Sequence, residues 1–267
     1  MLFVRDYWKK EWAALEKKER HYIRKQKEEK VSAFQQKISE KIPDRLESTL
    51  NTAFQKAFEL VFEKGTGMIE KTYDKTKHEQ SFQVNAYAAE IRKSRKNIKA
   101  FSRQAGASRT KNLFISGVEG VGLGVLGIGL PDIPLFTAVI LKSIYEIALC
   151  YGFSYETKEE QCFILRLIET SLLNGERFMQ ANMELNEWME EKDWIGMEPD
   201  KKEQISRTSN VLSGALLYMK FLQGFPVAGV VGGLADTVYL KKITDYADLK
   251  YKRRFLKNQI QGSEEAN

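Results

Sequence analysis

An all-α fold is what this sequence predicts: a compact multi-helix domain holding two Gly-rich apolar helical segments packed together, with a long N-terminal amphipathic helix. Three observations predict it. Apolar residues recur at helical spacing along most of the 267 residues. No stretch alternates with the period of two that a half-buried strand needs. The chain has only 5 prolines and 18 glycines, too few for a loop-dominated or disordered chain, and 43% of it is hydrophobic, enough for a sizeable core.

The elements follow in order. In the first forty residues Phe3, Tyr7, Trp8, Trp12, Leu15, Tyr22 and Ile23 fall near one helical face, ringed by Lys and Arg. Such a helix fits two uses: packing on the body of the protein, or lying on a membrane surface, where Trp and Tyr with flanking cations are at home. Asp44 and Glu47 then form a capping-box-like start. Ile42, Leu46, Leu50, Phe54, Phe58 and Phe62 repeat every four residues until Gly65, so this stripe is read as core. Residues 81–103 are read as one further helix, basic on its exposed side. The first Gly-rich apolar segment covers 113–151. Thr157 with Glu160 caps the helix that follows. An acidic helix over 176–192, a connection at GMEPDKKE, a helix over 202–223 and the second Gly-rich apolar segment, 226–256, complete the chain. That last segment ends in a basic helix.

The two apolar segments resemble each other. Val139–Ala148 aligns with Val238–Ala247 at five identities in ten, and Glu146 stands opposite Asp245. This is a weak internal repeat, and chance likeness between two amphipathic helices explains it as well.

Within the first segment Gly122, Gly124 and Gly127 spell G-x-G-x-x-G. A dinucleotide cradle needs a strand before this motif and a helix opening from it. NLFIS, residues 112–116, could pass for the strand, but Gly129, Pro131 and Pro134 break any helix within a turn or two. The P-loop Gly-Lys-Ser/Thr is absent. Gly120, Gly124 and Gly127 instead share one smooth helical face, and Gly229 with Gly233 repeats the small-xxx-small spacing that lets backbones approach closely. Val121–Leu141 nearly reaches the roughly 20 apolar residues of a membrane span. The Pro131-Asp132-Ile133-Pro134 bend divides it, so soluble core or monotopic insertion is favoured over spanning.

Charge is polarised. Residues 89–111 carry eight Lys/Arg against one Glu, and 241–257 carry seven against two acids. Residues 156–203 carry thirteen acids against six cations. The basic segments flank the apolar ones, which suits an anionic leaflet; the lipid-facing candidates are Lys93, Arg95, Lys96, Lys99, Arg103, Lys252, Arg253 and Arg254. Nucleic acid is not the expected partner, since Phe101 is the only aromatic in the first patch and no DNA- or RNA-binding signature appears.

Little points to catalysis. His21 and His78, the only histidines, lie in charged stretches and are read as surface residues. Cys150 and Cys162 read as packed small hydrophobes in a reducing compartment. No metal-ligand spacing and no cofactor motif occurs, and the N-terminus does not read as a signal peptide. Gly129, Pro131, Asp132 and Pro134 form the candidate binding bend. Asp132 and Asp236 are the candidate catalytic pair if they meet between the two segments; capping helices is their plainer use.

Three stretches resemble one known family: KIPDRLESTLNTAFQKAFELVFEKGTGMIEKTY, GLPDIPLFTAVILKSIYEIALCYG and GFPVAGVVGGLADTVYLKKITDYADLKYKRRFL. They look like the EcsC family, bacterial proteins named for a gene beside those of the Ecs ABC transporter. The resemblance implies a helical domain over 41–258, after a 1–40 extension and before a polar tail at 259–267. It implies membrane association, a place on the cytoplasmic face of the cell membrane and ABC transporter subunits as partners, and it supplies no catalytic residues. Two functions stay open: a non-catalytic membrane-surface accessory protein, or a hydrolase or lipid-modifying enzyme using Asp132 and Asp236.

Overall fold

The computed structural model describes residues 7–28, 43–63, 67–123, 132–190, 200–223 and 234–265. Every regular element among them is helical: α1 (Tyr7–Glu28), α2 (Asp44–Glu63), α3 (Gly67–Glu70), α4 (Lys75–Ile91), α5 (Arg95–Leu123), α6 (Asp132–Cys150), α7 (Lys158–Leu172), α8 (Gly175–Glu190), α9 (Lys201–Gln223) and α10 (Leu234–Glu265). Side-chain oxygens set several starts, taking up backbone N–H groups that have no helical acceptor. Asp74 accepts from the N–H of Lys77 ahead of α4, and Thr157 from that of Glu160 ahead of α7. Asp200 does the same for Lys202 and Glu203 at α9.

Helices α6 and α10 form the hub, packed on each other and each surrounded by further helices: α2, α4 and α5 on α6, and α1, α5 and α7 on α10. The weak repeat lies on these two helices. Of its five shared residues, Leu141/Leu240, Ile144/Ile243 and Ala148/Ala247 are fully buried, whereas Val139/Val238 and Lys142/Lys241 are not. A common packing demand therefore accounts for the three buried identities. The α2 stripe is also core: Leu50, Phe54, Phe58 and Phe62 are buried, burial worth roughly 1.5–3 kcal/mol for each such side chain. Phe255 of α10 gathers a second aromatic cluster with Trp8, Phe82, Phe101 and Tyr151, at centroid distances of 5.7, 6.4, 4.6 and 5.7 Å.

Helix α1 packs on the body. Trp8 and Leu15 are buried and Tyr22 stacks on Tyr246 at 5.5 Å. The window Ile133–Cys150 of α6 is long and apolar enough to cross a membrane, and 67% of it is buried inside the protein. A core helix of a bundle meets the same test of length and composition.

One local reading needs correction. Residues 81–103 are two helices, not one. Ser94 accepts the N–H of Asn97, and Asn97 Nδ2 donates to the carbonyls of Ala88 (2.8 Å) and Arg92 (3.0 Å). Short polar side chains thereby replace the helical ladder at the bend. NLFIS is helical, within α5, so the strand that a nucleotide cradle needs is not formed. Gly122 is in the last turn of α5; Gly124 and Gly127 lie outside the described residues.

Gly152, after α6, has φ +79°, and a Cβ there would sit 2.3 Å from the Phe82 ring. The turn needs glycine for both its conformation and its space.

Candidate functional site

The residues singled out from the sequence fall in different places. Gly129 and Pro131 lie outside the described residues. Asp132 and Asp236 belong to the first turns of α6 and α10, and their side chains lie outside the described part. Pro134 is exposed in the first turn of α6. Lys93, Arg95, Lys96 and Arg103 are exposed. The remaining cations turn toward carboxylates. Lys99 and Lys252 reach Glu11 at 3.7 and 3.0 Å, and Arg253 reaches Glu19 at 2.9 Å. Arg254 clasps Glu160 with two bonds of 2.7 and 2.9 Å, its guanidinium over the rings of Phe153 and Phe163. Such bidentate, charge-assisted pairing is the geometry arginine favours.

A polar seam runs where α5 lies between the two hub helices. Asn112 Nδ2 donates to Glu146 Oε2 of α6 at 3.0 Å. Arg109, three residues earlier, bridges Asp245 (3.1 Å) and Asp248 (3.2 Å) of α10. Glu146 and Asp245 occupy equivalent positions in the repeat, so α5 holds both copies by neighbouring side chains. Tyr151 donates to Asp248 at 2.8 Å, and Lys18 of α1 approaches it at 3.4 Å. Each acid of the seam has a donor, as burial demands.

The seam also holds a contact that sequence reasoning missed. Cys150 Sγ lies 3.6 Å from His78 Nδ1. His78 is half-buried rather than on the surface. The signal was present in helical phase: His78, Phe82, Asn85 and Ala89 share the face that α4 turns inward. Burial, with Glu146 adding to it, pushes the Cys150 thiol up to about 12. Burial also lowers the His78 pKa, against the pull of Glu146 and Asp74. At neutral pH the pair is a thiol and a neutral imidazole, not the thiolate a nucleophile requires. Among the described residues no group of three or more His, Cys, Asp or Glu is placed to hold a metal ion.

A further buried charge ties α1 to α10. Lys250 is fully buried and donates to Glu19 of α1 and, at 2.7 Å, to Asn186 of α8. Burial lowers its pKa to about 8, with Glu19 opposing that fall. Burial raises the Glu19 carboxyl, but Lys250 and Arg253 outweigh it and leave the pKa below the usual value.

Among the described residues this architecture is an all-α bundle whose interior holds paired polar groups. The chain belongs to the EcsC protein family, whose model matches residues 8–256 and so takes in α1. It is 27% identical over 164 residues to the Uncharacterized protein YdbA of Bacillus subtilis (strain 168), covering 60% of this chain and 58% of that protein. It is 25% identical over 149 residues to Protein EcsC of the same strain, covering 54% of this chain and 58% of that one. The chain thus matches little more than half the length of these relatives. No solved structure matches it.

Proposed function

We propose that this protein is a non-catalytic accessory protein that works at an anionic membrane surface, on the cytoplasmic side, beside an ABC transporter. One observation carries the membrane reading. Lys250, Lys252, Arg253 and Arg254 of α10 are neutralised by carboxylates of α1 and α7, whereas Arg92, Lys93, Arg95, Lys96 and Arg103 are exposed and make no ion pair among the described residues. Exposed cations without partners raise the local concentration of anions, and each contributes about 1 kcal/mol near an anionic leaflet. The transporter as partner rests on the family resemblance alone. The paired acids of the seam and the protonated Cys150 favour a structural over a catalytic use of the interior.

Co-sedimentation tests the reading. The purified protein is mixed with vesicles of phosphatidylcholine alone or blended with phosphatidylglycerol, at low and high salt. Binding confined to the anionic vesicles and weakened by salt is expected. A protein left in the supernatant with anionic vesicles at low salt would remove the membrane reading.

A further inference from the structure

Helix α4 carries an apolar stripe on its outer face. Val84, Tyr87 and Ile91 are 67%, 66% and 67% exposed. At about 100° per residue they span an arc of roughly 60°, opposite the inward face of His78, Phe82, Asn85 and Ala89. Single exposed apolar residues are ordinary on a protein surface. Here three large ones adjoin on one helix, and nothing among the described residues covers them. Exposed Glu90 lies about 90° around the helix from the stripe.

The stripe runs directly into the unpaired cations. Arg92 and Lys93 follow Ile91, and Arg95 and Lys96 open α5. The Asn97 bonds to Ala88 and Arg92 hold this corner, so stripe and cations keep a fixed relation. Folding does not explain the charges. Arg95 and Lys96 occupy the first turn of α5, where the helix dipole disfavours cations, and that turn has no acid. An external anion is the partner that suits them.

We propose that the α4–α5 corner is the surface that seats this protein on an anionic bilayer. Val84, Tyr87 and Ile91 enter the boundary between headgroups and acyl chains, while Arg92, Lys93, Arg95 and Lys96 meet lipid phosphates. The proposal rests on the membrane reading above and specifies which face makes the contact. Lipid fits better than a protein partner for two reasons. Three side chains offer on the order of a few hundred Å² of apolar surface, below the roughly 800 Å² per partner of a stable protein interface. An apolar stripe with tyrosine beside lysine and arginine is the composition of an interfacial helix.

The experiment uses the whole chain, vesicles as above and two variants. One is Val84→Ser/Tyr87→Ser/Ile91→Ser; the other is Arg92→Gln/Lys93→Gln/Arg95→Gln/Lys96→Gln. All seven side chains are exposed, so thermal melts matching the parent are expected. Each cation is worth about fivefold in partitioning, so the quadruple variant loses at least a hundredfold. The apolar triple loses at least tenfold, and the loss persists at low salt. As a measurement independent of variant folding, Val84→Cys is labelled with an environment-sensitive dye; Cys150 and Cys162 are buried and leave the label selective. Its emission shifts to the blue with anionic vesicles and stays unchanged with neutral ones. Parental binding by both variants, or a dye that does not respond while the protein binds, overturns this face and leaves the membrane reading standing. Absence of binding by the parent overturns both. A parent that self-associates without vesicles, and a triple variant that is monomeric, would make the stripe a protein contact and overturn the proposal.

Discussion

Removing the counter-charge of Lys250 offers a sharp test of how α1 is held. In Glu19→Gln the buried ammonium of Lys250 keeps Asn186 but loses its carboxylate. With Glu19 in place the lysine pKa is already lowered from 10.5 to about 8. At about 1.4 kcal/mol per pH unit, keeping the charge costs the folded state roughly 3 kcal/mol. Without Glu19 that cost rises only until the neutral amine takes over. At pH 7 holding the neutral form costs about 5 kcal/mol relative to an ordinary lysine, so Lys250 accounts for at most about 2 kcal/mol of added loss. The lost charge-assisted bond to Arg253 adds roughly 1–2 kcal/mol. The sum, about 3 kcal/mol, meets the lower end of what breaking a buried pair costs. Urea unfolding followed by circular dichroism at pH 7 measures it. The pH dependence has a definite sign. Between pH 8 and 10.5 the unfolded chain binds a proton that the folded chain has lost at Lys250, so this group makes stability rise with pH across that window. Lys250→Met removes the titrating group while Glu19 keeps Arg253 as a counter-charge. The difference in stability between the parent and Lys250→Met isolates the rise. A Glu19→Gln protein within about 0.5 kcal/mol of the parent, a value ordinary for surface changes, with no such difference above pH 8, would refute the reasoning.

Two further outcomes are expected. Gly152→Ala combines a left-handed backbone, about 1–2 kcal/mol, with a methyl driven into the Phe82 ring, whereas Gly175→Ala at φ +60° meets nothing within 4 Å. The first should lose at least about 1 kcal/mol more than the second in denaturant unfolding, and equal losses would show that Phe82 yields freely. Cys150, buried and with its thiol pushed up to about 12, should resist iodoacetamide in the folded protein at neutral pH and react once urea unfolds it. Alkylation at Cys150 in the folded protein at the rate of a free thiol would restore the Cys150–His78 pair as a nucleophile.

Much of the fold was legible because helical spacing records burial directly. Phe54, Phe58 and Phe62 point inward because they recur every four residues, and Thr157 caps α7 because a hydroxyl three residues before Glu160 can reach its N–H. The same phase on α4 places His78 inward and Val84, Tyr87 and Ile91 outward. The acidic and basic surroundings of His78 hid that phase, since charge density in a segment does not reveal which of its faces is covered. The break at 92–94 was missed for a related reason: Ser94 and Asn97 are ordinary residues until their side chains replace the backbone ladder.

The all-helical class, the inward stripes, the likeness of the two hub segments, the polarised charge and the family can be read from the residues in order. Which charges are neutralised follows from how the helices dock. Lys252 and Glu11 are 241 residues apart, Lys250 and Glu19 are 231, and Arg254 and Glu160 are 94. Helical periodicity reports the face on which a residue sits, a property of its neighbours along the chain. What covers that face depends on how distant helices dock. Two basic clusters of similar composition therefore differ: α1 and α7 close over Lys252, Arg253 and Arg254, whereas in the other Lys99 and Arg109 are paired and Arg92, Lys93, Arg95 and Lys96 at the α4–α5 corner stay exposed.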